Sequence, residues 1–158
     1  MFKKKWFPYA IGILSTEAVG ALSALLTHSA MDTFSQTVRQ PPLAPPMILF
    51  PIVWSILYAL MGTGATRIWI TPPSPIRSKG LNIYIAQLIV NFFWSLIFFN
   101  AEAYGFAFFW LLGLWLLVLW MTITFRKADP IAAWLQVPYL LWLTFAAYLN
   151  AGIWLLNR

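Results

Sequence analysis

The sequence contains no cysteine and very little charge. Of its 158 residues, four are Asp or Glu, ten are Lys or Arg and one is His. The absence of cysteine excludes disulfides and thiolate chemistry. The few carboxylates and the single histidine give no paired acids and no cluster of metal ligands. We therefore expect neither a conventional catalytic constellation nor a metal site.

The residues that are present are mostly apolar. Hydrophobic residues make up 61% of the chain, ten residues are Trp, and the mean hydropathy is +0.76. A soluble domain of this length could not bury so much apolar surface, so the solvent must be lipid. The net charge of +6 comes from cations scattered over short polar segments, which does not indicate a nucleic-acid partner.

Five stretches are long enough to cross a bilayer core of roughly 30 Å, which takes about 20 helical residues. They cover about 6–27, 47–70, 81–100, 104–125 and 131–156. Runs such as IAQLIVNFFWSLIFF lack the alternation of membrane β-strands. The sequence therefore predicts an all-α integral membrane protein, a bundle of five transmembrane helices in one domain over residues 1–158, with the lipid bilayer as a partner.

The first stretch could also be read as a cleaved signal peptide, because Lys3, Lys4 and Lys5 precede it. Its apolar region is longer than the typical 7–15 residues of a signal core, and it contains Glu17. A retained helix is favoured.

The loop charges predict an orientation. With five crossings, one side collects the N-terminus and two loops, which hold Lys3, Lys4, Lys5, Arg67, Arg77, Lys79, Arg126 and Lys127, whereas the other side has Arg39 and Arg158. By the positive-inside rule the N-terminus is cytoplasmic and the C-terminus outside. We expect a multi-pass protein of a bacterial-type cell membrane.

The predicted outward loop, residues 28–46, ends in a proline-rich run. A lid is predicted from Pro41, Pro42, Leu43, Pro45 and Pro46. Proline is tolerated at the first turn of a helix, so the run could simply stiffen the start of helix two. Alternatively, a rigid backbone at the membrane surface packs over something, which would make it a lid on a cavity.

Polar and aromatic residues recur on one face of several predicted helices. Gln87 and Asn91 are spaced i and i+4 on helix three, and an amide facing lipid would be costly. Trp54 and Tyr58 share a stripe of helix two, and Tyr139, Trp142 and Ala146 lie on helix five. These residues could form a ligand site or could be interhelical hydrogen bonds with space-filling aromatics.

Glu17 and His28 are the isolated ionisable residues. Glu17 near the middle of a helix could serve a proton-coupled or small-solute transporter, or could be a hydrogen-bonded acid facing Ser15, Ser23 or Thr63. His28 has no second histidine to share a metal and is interpreted as a solvated loop or helix-end residue.

Three motifs in order carry a family resemblance. PPLAPP with FPIVWSILYALMG, then QLIVNFFWSLIFF, then VPYLLWLTFAAYLN closely resemble the translocator protein family, also called the tryptophan-rich sensory protein or peripheral benzodiazepine receptor family. The resemblance extends from about Gly20 to Asn150. The family pattern has a Trp between the prolines where this chain has Leu43, and Glu17 is not part of it.

The resemblance implies a homodimeric five-helix bundle whose cavity binds protoporphyrin IX or related tetrapyrroles, and also sterols and benzodiazepine-like ligands, with no required cofactor. The implied ligand contacts are Trp54, Tyr58, Gln87, Asn91, Trp94, Tyr139, Trp142 and Ala146. Some bacterial members are linked to light-dependent porphyrin breakdown, which would make Trp54 and Trp142 catalytic. Sensing, transport and degradation all remain open.

A small-residue strip on helix two, Ala59, Gly62, Thr63 and Thr66, fits either a dimer contact or packing within one chain.

Overall fold

The computed structural model describes residues 4–158, so Lys3 of the predicted N-terminal cations lies outside the described chain. The helices are α1 (Phe7–Thr37), α2 (Leu49–Trp69), α3 (Pro75–Ser95), α4 (Tyr104–Ala128), α5 (Pro130–Trp134) and α6 (Val137–Asn157), and α3 continues into a π-helical turn, Leu96–Asn100. Counting Pro75–Asn100 and Pro130–Asn157 as single spans, five are long and apolar enough to cross a membrane. Residues 4–158 contain no strand. The predicted all-α fold is confirmed.

Helix α1 is longer than the sequence predicted. It ends at Thr37, whereas the prediction ended near residue 27 and assigned 28–46 to a loop. The polar run MDTFSQT continues the helix because Phe34 is buried among Phe98, Phe99 and Tyr104. The helix stops where Val38 becomes extended, shortly before Pro41 and Pro42. The connecting segment between α1 and α2 is therefore residues 38–48.

Prolines mark the helix starts. Pro8, Pro75, Pro130 and Pro138 each occupy the first or second position of a helix, and Pro51 is the third residue of α2. The first N–H groups of a helix have no partner within the helix, so proline costs little there. In this structure proline defines where helices begin, and α3 begins at Pro75, ahead of the predicted residue 81.

The last predicted helix is interrupted. Two short hydrogen bonds, from the Leu135 N–H to the Ile131 carbonyl and from the Gln136 N–H to the Ala133 carbonyl, end α5 before α6 begins. Asp129 caps α5 and accepts a 2.6 Å hydrogen bond from Arg67 Nε. The break lies just before Pro138, the second residue of α6. The ion pair ties it to the end of α2.

The two halves of α1 pack differently. In the first half, a Cβ built on Gly62 of α2 would lie 2.6 Å from the Gly12 carbonyl oxygen, so the two backbones are in close contact. Thr16 is hydrogen-bonded to Tyr84 of α3. Gly62 and Thr66 of the small-residue strip pack against α1, which gives the strip a role within one chain.

The chain orientation and the homodimer stay predictions.

Candidate functional site

The second half of α1 borders a cavity of about 250 Å³. Its walls are α1 from Glu17 to Phe34, the start of α2, the end of α3 and the middle of α6. We call the end of the bundle that carries the connecting segment the loop end. Phe34, Gln40 and Met47 line the cavity there, and Glu17 lines it about 25 Å away along α1, at 1.5 Å per residue.

Aromatic rings form the wall opposite α1. Trp54 lies with its ring centroid 5.5 Å from Tyr58 and 6.5 Å from Trp142, which in turn is 5.8 Å from Phe50. Toward α3, Trp94 is stacked on Phe98 with centroids 4.9 Å apart. Flat faces and edges of several indole and phenyl rings together suit a planar aromatic ligand.

A chain of hydrogen bonds supports this wall. The Tyr58 hydroxyl donates to Asn91 Oδ1 at 2.8 Å, Asn91 Nδ2 donates to the Tyr139 hydroxyl at 2.7 Å, and that hydroxyl donates to Gln87 Oε1 at 2.8 Å. Gln87 Nε2 lies 3.7 Å from Met61 Sδ. The chain links α2, α3 and α6 through side chains that are almost completely buried.

Both amides make interhelical hydrogen bonds, and they differ in whether they also face the cavity. Tyr58 and Asn91 line the cavity, whereas Gln87 and Tyr139 lie behind them and outside the lining. The structure thus gives Gln87 and Tyr139 a supporting position, which differs from the ligand contact predicted for them. Asn91 has both amide atoms bonded to tyrosines, so it holds the wall as well as facing the cavity.

A second polar pair lies nearer the loop end. Trp94 Nε1 donates to Asn150 Oδ1 at 3.2 Å, and Asn150 Nδ2 donates to the Tyr104 carbonyl at 2.8 Å. These bonds fix the indole of Trp94 against the cavity and tie α3, α4 and α6 together. Asn150 is a cavity residue that the predicted contacts did not include.

Trp142 and Ala146 both line the cavity, as predicted. Ala146 offers a small surface one turn from Trp142. The indole Nε1 of Trp142 is buried and has no hydrogen-bond partner among residues 4–158. A buried donor without an acceptor is costly.

The predicted lid is attached to α6. The Tyr148 hydroxyl donates to the Pro42 carbonyl at 2.6 Å, and Asn157 exchanges hydrogen bonds with the backbone of Arg39. Pro41 is packed against Gly152, where an added Cβ would lie 2.6 Å from Pro41 Cβ.

The lid prediction needs a correction of residues. The segment closes the loop end of the cavity through Gln40 and Met47, and none of Pro41, Pro42, Leu43, Pro45 or Pro46 is among the lining residues. Leu43 points outward, 81% exposed, with a φ of 71°. The prolines fix the path of the segment, and their neighbours face the cavity.

The contribution of α1 was missed by sequence reasoning. Gly20, Ser23, Thr27, Met31 and Phe34 all line the cavity. Their spacing of three or four residues, together with Glu17, forms one stripe of small and polar residues, a signal that was available in the sequence. A Cβ built on Gly20 would overlap the Tyr58 ring, so glycine lets α1 approach this wall.

The isolated ionisable residues have clear positions. Glu17 lines the cavity, and the hydroxyls of Ser15 and Thr63, predicted as its partners, donate to backbone carbonyls of their own helices. His28 lies on α1 rather than in a loop, exposed and 3.9 Å from Asp32. Residues 4–158 contain no group of His, Asp and Glu that could hold a metal ion.

Fold and site together define a class: a membrane protein with five spanning helices and an aromatic-lined cavity between them. The TspO/MBR family matches this chain over residues 12–155. The chain therefore belongs to the TspO/MBR family.

Similar proteins support this family assignment. The chain is 36% identical over 124 residues to the translocator protein of Ovis aries, covering 77% of this chain and 73% of that protein. It is 31% identical over 150 residues to protein CrtK of Rhodobacter capsulatus, covering 94% and 92%. The tryptophan-rich protein TspO of Chlorobaculum tepidum is 32% identical over 141 residues, covering 89% of each chain.

Proposed function

We propose that this protein binds porphyrins and similar flat hydrophobic molecules in the cavity between α1, α2, α3 and α6. The observation that carries the proposal is the wall of Trp54, Tyr58, Trp94 and Trp142 facing one cavity. Indole and phenol faces contact a macrocycle. Burial of apolar ligand surface supplies most of the binding free energy.

The protein's part is to position and shield the ligand. The hydrogen-bonded chain through Asn91 holds the aromatic wall in one arrangement, so little side-chain freedom is lost on binding. The segment at the loop end is held by Tyr148 and Asn157, and it separates the ligand from water. Such a site serves a sensor, a carrier or a photochemical protein equally, and the light-absorbing chemistry belongs to the porphyrin.

The experiment is a titration of detergent-purified protein with protoporphyrin IX in the dark, following quenching of Trp emission. We expect saturable quenching in the wild type and weaker binding in Trp142→Phe. Trp120→Phe is the matched control, because Trp120 lies exposed on α4, outside the lining. Quenching that rises linearly without saturation in the wild type would contradict the proposal.

Two further measurements separate the possible roles. Illumination of the bound complex that yields a new absorbing product, dependent on Trp142, would mark degradation. Movement of porphyrin across liposomes in one direction would mark transport. Saturable binding with neither result leaves sensing or scavenging as the role.

A further inference from the structure

The ionisable lining of the cavity is acidic and not basic within residues 4–158. Glu17 is the only acidic residue in the lining, and no Lys, Arg or His lines the cavity within residues 4–158. No group in residues 4–158 donates a hydrogen bond to the Glu17 carboxylate. A protein with a net charge of +6 thus has an acidic ligand cavity.

Aromatic faces surround the space that this carboxylate borders. Tyr58 lies against Gly20, one turn along α1 from Glu17, and Trp54 lies next to Tyr58. A carboxylate beside indole and phenol faces is the arrangement that recognises an organic cation, because both the charge and the ring quadrupoles attract it. Ser55 and Asn91 add polar atoms to the lining.

The loop end carries charges of both signs, since Asp32 and Glu102 lie there beside Arg39 and Arg158. Arg39 directly precedes the lining residue Gln40, and its backbone is fixed by Asn157. Arg39 and the C-terminal Arg158 are the basic residues at this end. Because no acidic residue lines the cavity at the loop end, an anionic group of a ligand would be more favourable there than near Glu17.

We propose that Glu17 forms a cation-recognition subsite, so that the cavity prefers flat aromatic ligands that carry a quaternary or protonated nitrogen. This inference rests on the proposed function, since it assumes that the cavity binds aromatic ligands. It also sets an orientation for porphyrins, with the carboxylates toward the loop end and away from Glu17.

The probes are a matched pair, (naphthylmethyl)trimethylammonium and its uncharged carbon isostere, neopentylnaphthalene. Each is titrated against wild type, Glu17→Gln and Glu102→Gln in an uncharged detergent. The same chemical change at Glu102, exposed in the turn before α4 and outside the lining, is the control. Comparing the ratio of the two affinities between proteins cancels the partition of each probe into micelles.

We expect Glu17→Gln to weaken binding of the ammonium probe about tenfold or more, because a desolvated charge loses its partner, and to change the isostere less than about twofold. Glu102→Gln should match the wild type with both probes. Glu17→Asp, which keeps the charge, should keep the preference for the ammonium probe.

Protoporphyrin IX binding distinguishes the two possible failures. If wild type binds protoporphyrin saturably but the affinity ratio of the probes is unchanged in Glu17→Gln, the cation subsite is rejected and the proposed function stands. If wild type binds neither protoporphyrin nor either probe saturably, both are rejected. Loss of protoporphyrin binding together with both probes in Glu17→Gln would assign Glu17 a structural role and would also reject the subsite.

Discussion

The two halves of α1 make the most instructive comparison in the molecule. The first half lies so close to α2 that glycine is needed at Gly12 and Gly62, and Thr16 is hydrogen-bonded to Tyr84. In the second half the cavity separates α1 from α2, while Phe34 stays in contact with Phe98 and Phe99 at the end of α3. Small residues permit the close packing of the closed half in lipid, and the open half borders the proposed binding site.

The largest expected effect comes from forcing the closed half apart. In Gly62→Leu the new side chain would meet the backbone of Gly12 and Ile13, and a backbone cannot move aside cheaply. We expect the free energy of unfolding in detergent to fall by about 3 kcal/mol, measured by denaturant titration followed by circular dichroism. Gly113→Leu is the control, since a Cβ there meets nothing within 4 Å; an equal loss in both proteins would contradict the close contact.

Breaking the hydrogen-bonded chain that supports the aromatic wall of the cavity should reduce stability less. Asn91→Leu leaves the buried Tyr58 hydroxyl without its acceptor and removes the link to Tyr139. We expect a loss of about 2 kcal/mol in the free energy of unfolding, with weaker protoporphyrin binding. Asn82→Leu, on an exposed part of α3, should change stability by less than about 0.5 kcal/mol.

Filling the open half tests its role without disturbing the closed half. Ala146→Phe puts a ring into the cavity from α6, and we expect protoporphyrin affinity to fall about tenfold, which is about 1.4 kcal/mol. Binding is followed by Trp quenching. Leu141→Phe, at a position 67% exposed on the same helix, should bind as wild type; unchanged affinity in Ala146→Phe would place the ligand elsewhere.

The smallest effect is expected at the loop end. Tyr148→Phe removes the 2.6 Å hydrogen bond to the Pro42 carbonyl, which contributes about 1 kcal/mol or less. The segment should open more often, so dissociation of bound porphyrin, measured by stopped-flow, should be a few-fold faster, with little change in stability. Ser35→Ala, whose hydroxyl bonds only within α1, should dissociate at the wild-type rate.

Much of this fold could be predicted from the sequence. Continuous apolar runs predicted the membrane spans. The amides on α3 had to face protein because lipid offers no hydrogen-bond partner. The spacing of Trp54 and Tyr58, and of Trp142 and Ala146, placed the aromatic wall on the correct faces of α2 and α6.

The features that the sequence did not predict correctly have physical causes. A polar run such as MDTFSQT is typical of a loop, and it is helical only because tertiary packing of Phe34 holds it. Which amide faces the cavity and which lies behind it depends on the rotation of α3, so Gln87 and Asn91 could not be told apart by spacing alone. The residues of α1 that line the cavity form a stripe at helical spacing in the sequence. That stripe could be recognised as one wall only with the correct length of α1, which extends to Thr37.

Occupation of the cavity by porphyrin is tested most directly by measuring whether the ligand protects a single introduced cysteine from labelling. The chain has no cysteine of its own. Ser55→Cys places a thiol in the cavity, and Ser15→Cys places one on an exposed face of α1 outside the lining. The rate of labelling by a membrane-permeant maleimide is measured with and without protoporphyrin IX. We predict that the porphyrin slows labelling of the Ser55→Cys protein at least severalfold and leaves the Ser15→Cys protein unchanged; equal rates at Ser55→Cys with and without porphyrin would contradict the ligand cavity.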